Sequence, residues 1–355
     1  LNTNRGRGLE RERYRHLNKY LIEKFGERTL KICVDGHFSC PNRDGTLSKS
    51  GCIFCSECGS GELIKDSEKD ITTQVKKYFE SYKSKRANKF IVYFQNFTNT
   101  YDTIEILRKK YNAALVDDRI VGIEIATRPD CINKDIAKLI NEYSNKYYVC
   151  VELGLQTSNN RIGDIINRCY TSEQFSEAVK ILRRYNIDVV AHIMVGLPME
   201  TQEDIANTVK FINNHDVQGI KIHSTYVVKN TKLAKMYELG EYVPISLEYY
   251  LEKLEYIITH LRGDIIIHRI SGDAPKDLLV APGWNLHKKW VLNGIEKILK
   301  EKNKWQGMYR QNRKRRIKDP VWKEAAQKKS RRSRQRNRQP LNWRSAVLRL
   351  RWRRT

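Results

Sequence analysis

The sequence predicts an α/β fold, a (β/α)6 partial barrel of parallel strands, for the body of this 355-residue chain. Strand-like apolar runs recur along the chain, and from the second run onward they start roughly 30 to 40 residues apart, the length of one strand-plus-helix unit. Several runs are apolar on both faces, as in parallel strands covered by helices. Six such runs indicate a partial barrel rather than a closed barrel of eight units.

The predicted strands and helices alternate along the body. The strands are predicted at residues 30–34, 90–94, 121–126, 147–153, 189–195 and 219–228. Amphipathic helices are predicted at residues 104–115, 134–143, 175–185 and 205–212. The last of these follows Thr201-Gln-Glu-Asp204, where the threonine can cap the helix and the acids favour its N-terminus. Complete barrels carry their active sites at the carboxyl ends of the strands, and we expect the same here.

The pattern changes after the sixth strand, so the chain is predicted to have four segments. They are a lead-in at residues 1–28, the barrel at 29–245, a small C-terminal α/β extension at 246–307 and a basic tail at 308–355. Within the extension, the sequence predicts a helix at 247–261, a strand at 265–270 and a helix at 287–300. The extension is expected to pack onto the barrel.

The formal net charge of +25 is concentrated in the tail. Residues 308–355 contain 19 Lys or Arg and 2 Asp or Glu, which leaves a net charge of +8 on the body. The tail lacks the apolar residues that a core requires and is predicted to be disordered alone. It is either a nucleic-acid-binding arm, with Trp322, Trp343 and Trp352 available to stack on bases, or a non-native extension. The body charge is compatible with RNA binding and does not require it.

The sequence shows no signal peptide and no apolar run long enough to cross a bilayer. A cytoplasmic protein without a membrane partner is therefore expected. In that compartment the eight cysteines would stay reduced. The sequence does not predict an oligomeric state.

Four cysteines follow the first predicted strand closely: Cys40, Cys52, Cys55 and Cys58. Soft thiolates at this density hold a metal ion or an iron–sulfur cluster. Four ligands would close a structural zinc site, whereas three would leave one iron of a [4Fe-4S] cluster open for chemistry. The spacing by itself leaves both alternatives open.

Short motifs recur in order along the body. They are Cys40-Pro-Asn-Arg-Asp-Gly-Thr46, Gly51-Cys-Ile-Phe-Cys55, Tyr93-Phe-Gln-Asn-Phe97, Thr127-Arg-Pro-Asp130, Glu152-Leu-Gly-Leu-Gln-Thr157, Asn167-Arg168, His192-Ile-Met-Val-Gly-Leu-Pro198, Gly219-Ile-Lys-Ile-His223, His268-Arg269 and Ala281-Pro-Gly-Trp284. In this combination the chain resembles the radical S-adenosylmethionine (radical SAM) enzymes. More narrowly, it resembles the bacterial YhcC/YtqA group, whose core is similar to that of the Elongator catalytic subunit.

The resemblance implies a radical SAM core that holds a [4Fe-4S] cluster and S-adenosylmethionine. Cys40, Cys52 and Cys55 match the family's cluster ligands, and Cys58 matches none, so it is expected to be a neighbouring thiol. The cofactor contacts are expected at the strand ends. Gln95 and Asn96 would hold the ammonium group, and Thr127 would lie at the end of strand three. Glu152 and Gln156 would reach the ribose or amino groups. Arg168 would contact the carboxylate, and the backbone near Val195 would contact the adenine.

Each of these polar residues could instead be a cap or a loop anchor. His192, His223 and His268 would face substrate in the barrel mouth or be buried with hydrogen-bond partners. Glu200 falls one place late for the family pattern, so no role is expected for its side chain. Tyr93, Phe97 and Tyr101 would stack a flipped base or belong to the core. No residue is assigned to catalysis itself.

The resemblance also implies an activity, reductive cleavage of S-adenosylmethionine to a 5′-deoxyadenosyl radical. The electron would come from an external donor of the flavodoxin or ferredoxin type. The expected substrate is tRNA, modified at the wobble-uridine side chain. One alternative replaces tRNA with a small metabolite. Another is a non-enzymatic nucleic-acid-binding module with a structural zinc site, although zinc-ribbon domains are small and need no barrel.

Overall fold

A curved parallel sheet of seven strands forms the centre of the protein. The computed structural model describes residues 12–57, 59, 64, 67 and 69–310. The strands are β1 Thr29–Val34, β2 Lys89–Phe94, β3 Ile120–Thr127, β4 Tyr148–Gln156, β5 Asp188–Val195, β6 Gly219–Ser224, β7 Val227–Val228, β8 Ile266–Arg269 and β9 Leu279–Ala281. The sheet order is β1-β2-β3-β4-β5-β6-β8, with every pair parallel. β7 and β9 form a separate antiparallel pair. The predicted partial barrel is confirmed.

The connecting segments are mostly helical. The helices are α1 Leu17–Phe25, α2 Ile71–Glu80, α3 Ile104–Ala114, α4 Lys134–Ser144, α5 Asn160–Ile165, α6 Ser172–Arg183, α7 Gln202–Asn213, α8 Lys232–Glu238, α9 Leu247–His260 and α10 Lys288–Glu301. Side-chain caps fix where several of them begin. Thr201 accepts a hydrogen bond from the N–H of Asp204, whose carboxylate accepts one from the N–H of Thr201. The predicted threonine cap is therefore confirmed, and α7 begins at Gln202, three residues before the predicted helix.

The core lies between the outer face of the sheet and the helices. Val92, Ile123, Val151, Val189 and Ile222 come from five neighbouring strands and are fully buried there. Burying an aliphatic side chain of this size contributes about 1.5–3 kcal/mol relative to exposing it. The inner face of the sheet is different, because it carries the polar side chains described below. The core therefore stabilises the barrel from outside and leaves its inner face available for chemistry.

The predicted C-terminal extension adds a strand to the barrel. Its strand, β8, pairs parallel to β6 with Gly219 opposite Ile266. α9 supplies the crossover that parallel pairing requires. The sheet therefore has seven strands, one more than the six of the predicted barrel. The boundary predicted at residues 245 and 246 stays a prediction, and the tail from residue 311 lies outside the described residues.

Candidate active site

The loop that follows β1 carries the cysteines and is held by its own backbone. Cys40 accepts hydrogen bonds from the N–H groups of Arg43 and Asp44, at 2.8 and 3.1 Å. The N–H of Gly51 reaches the carbonyl of Asn42 at 2.7 Å and returns the chain toward Cys40. The N–H of Cys55 donates to the carbonyl of Cys52 at 3.1 Å, a tight turn that brings these two thiols together. Cys58 lies outside the described residues.

The loop after α5 clamps the cysteine loop from the other side. Asn167 has φ of 53°, in the left-handed region that asparagine tolerates well. Its side-chain amide donates to the carbonyl of Gly51 at 2.7 Å, and its own carbonyl accepts from Asn42 Nδ2 at 2.6 Å. The same Asn42 Nδ2 lies 3.6 Å from Cys52 Sγ. Contacts of this kind orient the ligands of a metal centre.

The electrostatics of the loop favour thiolate at Cys52. A hydrogen bond from Cys55 lowers the pKa of Cys52 to about 7, with further help from Arg128 and Asn42. The same hydrogen bond raises the pKa of Cys55, and burial adds to the effect. Thiolate is the form that ligates metals.

The cysteine thiols of this loop suit an iron–sulfur cluster. Within the described part of the chain, no three His, Cys, Asp or Glu side chains converge on a point that could hold one metal ion. In a [4Fe-4S] cluster each cysteine binds a different iron, so the three sulfurs do not need to converge. Cys40, Cys52 and Cys55 are all free thiols on one loop. They suit three corners of a cluster.

Of two residues predicted to contact the cofactor, Asn96 keeps an acceptor atom without a partner among the described residues and Gln156 does not. Asn96, directly after β2, donates from Nδ2 to Asp35 at 2.7 Å, while its Oδ1 is buried without a hydrogen-bond partner among the described residues. Gln156, at the end of β4, has φ of 55°, and its Oε1 accepts from the Tyr170 hydroxyl at 2.5 Å. Asn96 therefore fits an ammonium group well. Gln95 precedes it in the same segment.

Other predicted contacts have protein partners already. The Thr127 hydroxyl hydrogen-bonds that of Thr100 at 2.6 Å, and the Val195 carbonyl accepts the N–H of Thr225 at 2.8 Å. Arg168 is fully buried. Its guanidinium donates to the carbonyls of Leu155, Thr157 and Tyr170 and to Asn160 Oδ1. These contacts occupy all three guanidinium nitrogens and favour a structural role over a carboxylate contact.

A buried ion pair crosses the inside of the barrel. Lys221 of β6 contacts Glu152 of β4, and the Tyr93 hydroxyl of β2 donates to Glu152 at 2.9 Å while accepting from Lys221 at 2.8 Å. Burial lowers the pKa of Lys221. Burial would raise the pKa of Glu152, but the positive charge of Lys221 outweighs it and holds this pKa below its usual value. Glu152, predicted to contact the cofactor, is engaged here instead by Lys221, Tyr93 and His192.

Three histidines line the same interior. The rings of His192 and His223 meet edge to face at 4.3 Å. Burial lowers the pKa of His192 to about 4 and the pKa values of His223 and His268 well below normal, so all three are neutral near pH 7. Nε2 of His192, Nε2 of His223 and Nδ1 of His268 are buried without hydrogen-bond partners among the described residues. All three histidines are buried as one predicted alternative has it, and Nδ1 of His192 lies 3.4 Å from Glu152 Oε1.

Sequence reasoning missed the charged part of this interior. Lys31 pairs with Glu124, and Lys221 pairs with Glu152. A signal was present, since a charged residue inside an otherwise apolar strand is rarely buried without a partner. Of the predicted stacking residues, Tyr93 has the Lys221 ammonium over its ring at 4.3 Å, which leaves that face unavailable to a base. Phe97 lines a cavity of about 310 Å³ together with Cys40 and Arg43. The Tyr101 hydroxyl contacts Thr46 at 2.9 Å.

This site and fold match a known class of enzymes. The family profile of the Radical SAM superfamily matches residues 44–212, and that of the Radical_SAM C-terminal domain matches residues 217–301. The chain therefore belongs to the radical SAM superfamily, and it binds a [4Fe-4S] cluster and S-adenosylmethionine. It is similar to the uncharacterized protein YtqA of Bacillus subtilis, with 40% identity over 303 residues that cover 84% of this chain and 93% of that protein. The resemblance inferred from the motifs is confirmed.

Two more distant relatives complete the comparison. A tRNA uridine(34) acetyltransferase of Methanocaldococcus jannaschii is 30% identical over 168 residues, which are 46% of this chain and 30% of that protein. The structure of the archaeal Methanocaldococcus infernus Elp3 with an N-terminal deletion has a TM-score of 0.59 at 19% identity. That match covers 78% of this chain and 64% of the other. At this identity the match shows the shared fold.

Proposed function

We propose that this radical SAM enzyme modifies tRNA at the side chain of the wobble uridine. The observation that carries the proposal is the similarity to a tRNA uridine(34) acetyltransferase, which extends over 168 residues. The net charge of +8 on the body is compatible with the proposal, because a polyanionic substrate is attracted by positive charge. The match covers only part of that relative, so the acetyl transfer in its name is not carried over to this chain.

In the proposed reaction, residues of the cysteine loop and the strand ends bind the cofactors. Cys40, Cys52 and Cys55 would hold the cluster, and Asn96 Oδ1 would accept from the ammonium group of S-adenosylmethionine. With an electron from a donor of the flavodoxin or ferredoxin type, the bound cofactors would supply the radical chemistry that removes a hydrogen atom from the substrate. The loop clamped by Asn167 keeps Cys52 in place during this chemistry.

The interior of the barrel suits a polar group of the substrate. Its three neutral imidazoles present ring nitrogens without hydrogen-bond partners among the described residues. A buried polar atom without a partner costs about 1–3 kcal/mol, and a substrate group that hydrogen-bonds it removes this cost. The Lys221–Glu152 pair lies beside His192, with Glu152 Oε1 at 3.4 Å from His192 Nδ1, and fixes the orientation of this ring. The substrate side chain would therefore be held by preoriented groups.

Nucleoside analysis of tRNA tests the proposal. Anaerobically purified protein with its cluster, a reductant and S-adenosylmethionine would be incubated with tRNA from a strain lacking the gene, and the digested nucleosides measured by mass spectrometry. We expect a new wobble nucleoside with the wild-type protein and none with the Cys52→Ala variant, which lacks a cluster ligand. Cys131→Ala, a substitution outside the cluster loop, is the matched control and should stay active.

An identical nucleoside profile with and without active enzyme would contradict the tRNA proposal and favour a small metabolite. A protein that contains one zinc, no iron and no sulfide would contradict the enzyme itself.

A further inference from the structure

We propose that the start of α10 forms a docking platform for the single-stranded loop of the RNA substrate. This inference rests on the function proposed above and names the surface that would carry it. The platform consists of Leu286, His287, Lys288, Lys289 and Trp290, and is called the α10 platform. The argument depends on its position, on an exposed aromatic stack and on its charge.

The α10 platform lies at the edge of the sheet that carries the active site. Ser224, the last residue of β6, donates from its hydroxyl to Asn285 Oδ1 at 2.5 Å, and both residues are buried. Asn285 belongs to the 3₁₀ turn Gly283–Leu286, directly before the platform. Lys288 pairs with Asp273, which follows the carboxyl end of β8, at 3.1 Å. The first turn of α10 is thus attached to the carboxyl ends of two strands.

The platform presents an aromatic stack to solvent. Trp290 is 53% exposed, and its ring stacks on that of His287 with centroids 4.1 Å apart and planes 20° from parallel. Trp284, six residues earlier, shows the contrasting arrangement. It stacks on the buried Tyr250 and donates from Nε1 to the carbonyl of Ile245 at 3.0 Å, so its contacts are internal. Trp290 is an exposed ring in a preset orientation, suited to stack on an unpaired base.

The charge around the stack is suited to a nucleic-acid backbone. Asp273 is shared by two cations, Arg269 at 3.0 Å and Lys288 at 3.1 Å, so one positive charge remains uncompensated within this group. Lys289 is exposed and forms no ion pair within the described residues. Phosphate contacts position a nucleic acid, while stacking holds its bases. Single-stranded RNA fits this combination of a flat ring with cations beside it.

The chain offers a matched control at the opposite edge of the sheet. Tyr82 is 77% exposed in the 3₁₀ turn Tyr82–Arg86, which also contains Lys83 and Lys85. This turn precedes β2 and therefore lies at the amino ends of the strands. Like the α10 platform, this turn combines an exposed aromatic ring with lysines, but it lies at the end of the barrel away from the active site. Any general effect of removing an exposed aromatic ring would appear in both places.

Binding of an unmodified anticodon stem–loop RNA would be measured for the full-length, cluster-loaded wild type, Trp290→Ala, Trp290→Phe and Tyr82→Ala. All variants keep the basic tail, so its contribution cancels at a fixed salt concentration. We expect Trp290→Ala to weaken binding roughly tenfold, as expected for one stacked base. Trp290→Phe should recover most of the affinity, and Tyr82→Ala should match wild type. In turnover with tRNA, the loss in Trp290→Ala should appear in KM and not in kcat.

Wild-type binding that is unchanged in Trp290→Ala would overturn the α10 platform while leaving the proposed function intact. The RNA-docking role of the α10 platform would also be overturned if Trp290→Ala binds RNA normally but is reduced more slowly by flavodoxin. The platform would then dock a protein. A wild-type chain that neither binds nor modifies the RNA would overturn both proposals.

Discussion

At the scale of single residues, the stability of the barrel depends on the buried ion pair between Lys221 and Glu152. Replacing Lys221 by Met would leave the buried Glu152 with Tyr93 and His192 as its partners among the described residues. Losing one partner of a buried ion pair typically costs about 3–5 kcal/mol. We expect the Lys221→Met variant to lose stability of this order in urea unfolding.

The matched variant is the double substitution Lys221→Met with Glu152→Gln, which removes the uncompensated charge as well. It should recover a large part of the lost stability. Equal losses in the single and double variants would show that the ion pair is not the cause.

Glu200 makes the stability of the protein depend on pH. Burial raises its pKa to about 8 from the usual 4.5, even though the N–H of Gly196 donates to its carboxyl group. Between these two values the folded chain keeps a proton that the unfolded chain releases, so stability is lost as the pH rises through this window. Glu200→Gln keeps the acceptor and removes the ionisation. Its gain in stability over wild type, measured by urea unfolding, should be larger at pH 8 than at pH 5.

A gain that is the same at both pH values would mean that Glu200 ionises normally in the folded protein.

At the scale of elements, the cluster depends on the loop after α5 as much as on its own loop. Replacing Asn167 by Ala removes the hydrogen bond to Gly51 and places alanine at a φ of 53°. We expect the variant to fold but to lose iron faster under a chelator than wild type, because the cysteine loop is no longer clamped. Asn186→Ala is the control, since Asn186 has φ of 56° in the turn between α6 and β5.

Both substitutions carry the same backbone strain, so iron loss that is equally fast in the two variants would assign the effect to strain and not to the clamp.

How far the sequence predicts an element depends on where its determinants lie. The cap of α7 is local, since it is formed by Thr201 and Asp204, and Thr201 was predicted as the capping residue. The place of β8 beside β6 depends on a partner strand nearly fifty residues away, which no local pattern reveals. The site divides in the same way. The prediction of Cys40, Cys52 and Cys55 as cluster ligands comes from the resemblance, whereas the contacts of Arg168 depend on carbonyls that only the folded loop brings together.

At the scale of the whole molecule, the described ends of the chain lock together. Gln306 donates to the carbonyls of Arg262 and Ile265 and accepts from the N–H of Arg15 at 2.9 Å. A chain that ends after residue 310 keeps these bonds, and one that ends after residue 304 loses them. At about 1 kcal/mol for each hydrogen bond, we expect the loss of these three bonds alone to make the shorter chain about 3 kcal/mol less stable.

The chain ending at residue 310 is the control and should unfold at the same urea concentration as the full chain. A shift of the unfolding midpoint in the chain that ends at residue 310 would mean that residues 311–355 contribute to stability.

No described helix is long and apolar enough to cross a membrane.

The lock at Gln306 has a practical consequence for handling the protein. His16 bridges to Ile267 at the start of β8, and Gln306 reaches the carbonyl of Ile265 beside it. Both described ends of the chain therefore meet at the amino edge of the sheet, across the barrel from the cysteine loop. An affinity tag or surface tether joined near residue 12 or residue 310 would begin on the far side from the active site. Immobilising the protein at either of these two positions should leave the catalytic face open to a large substrate in solution.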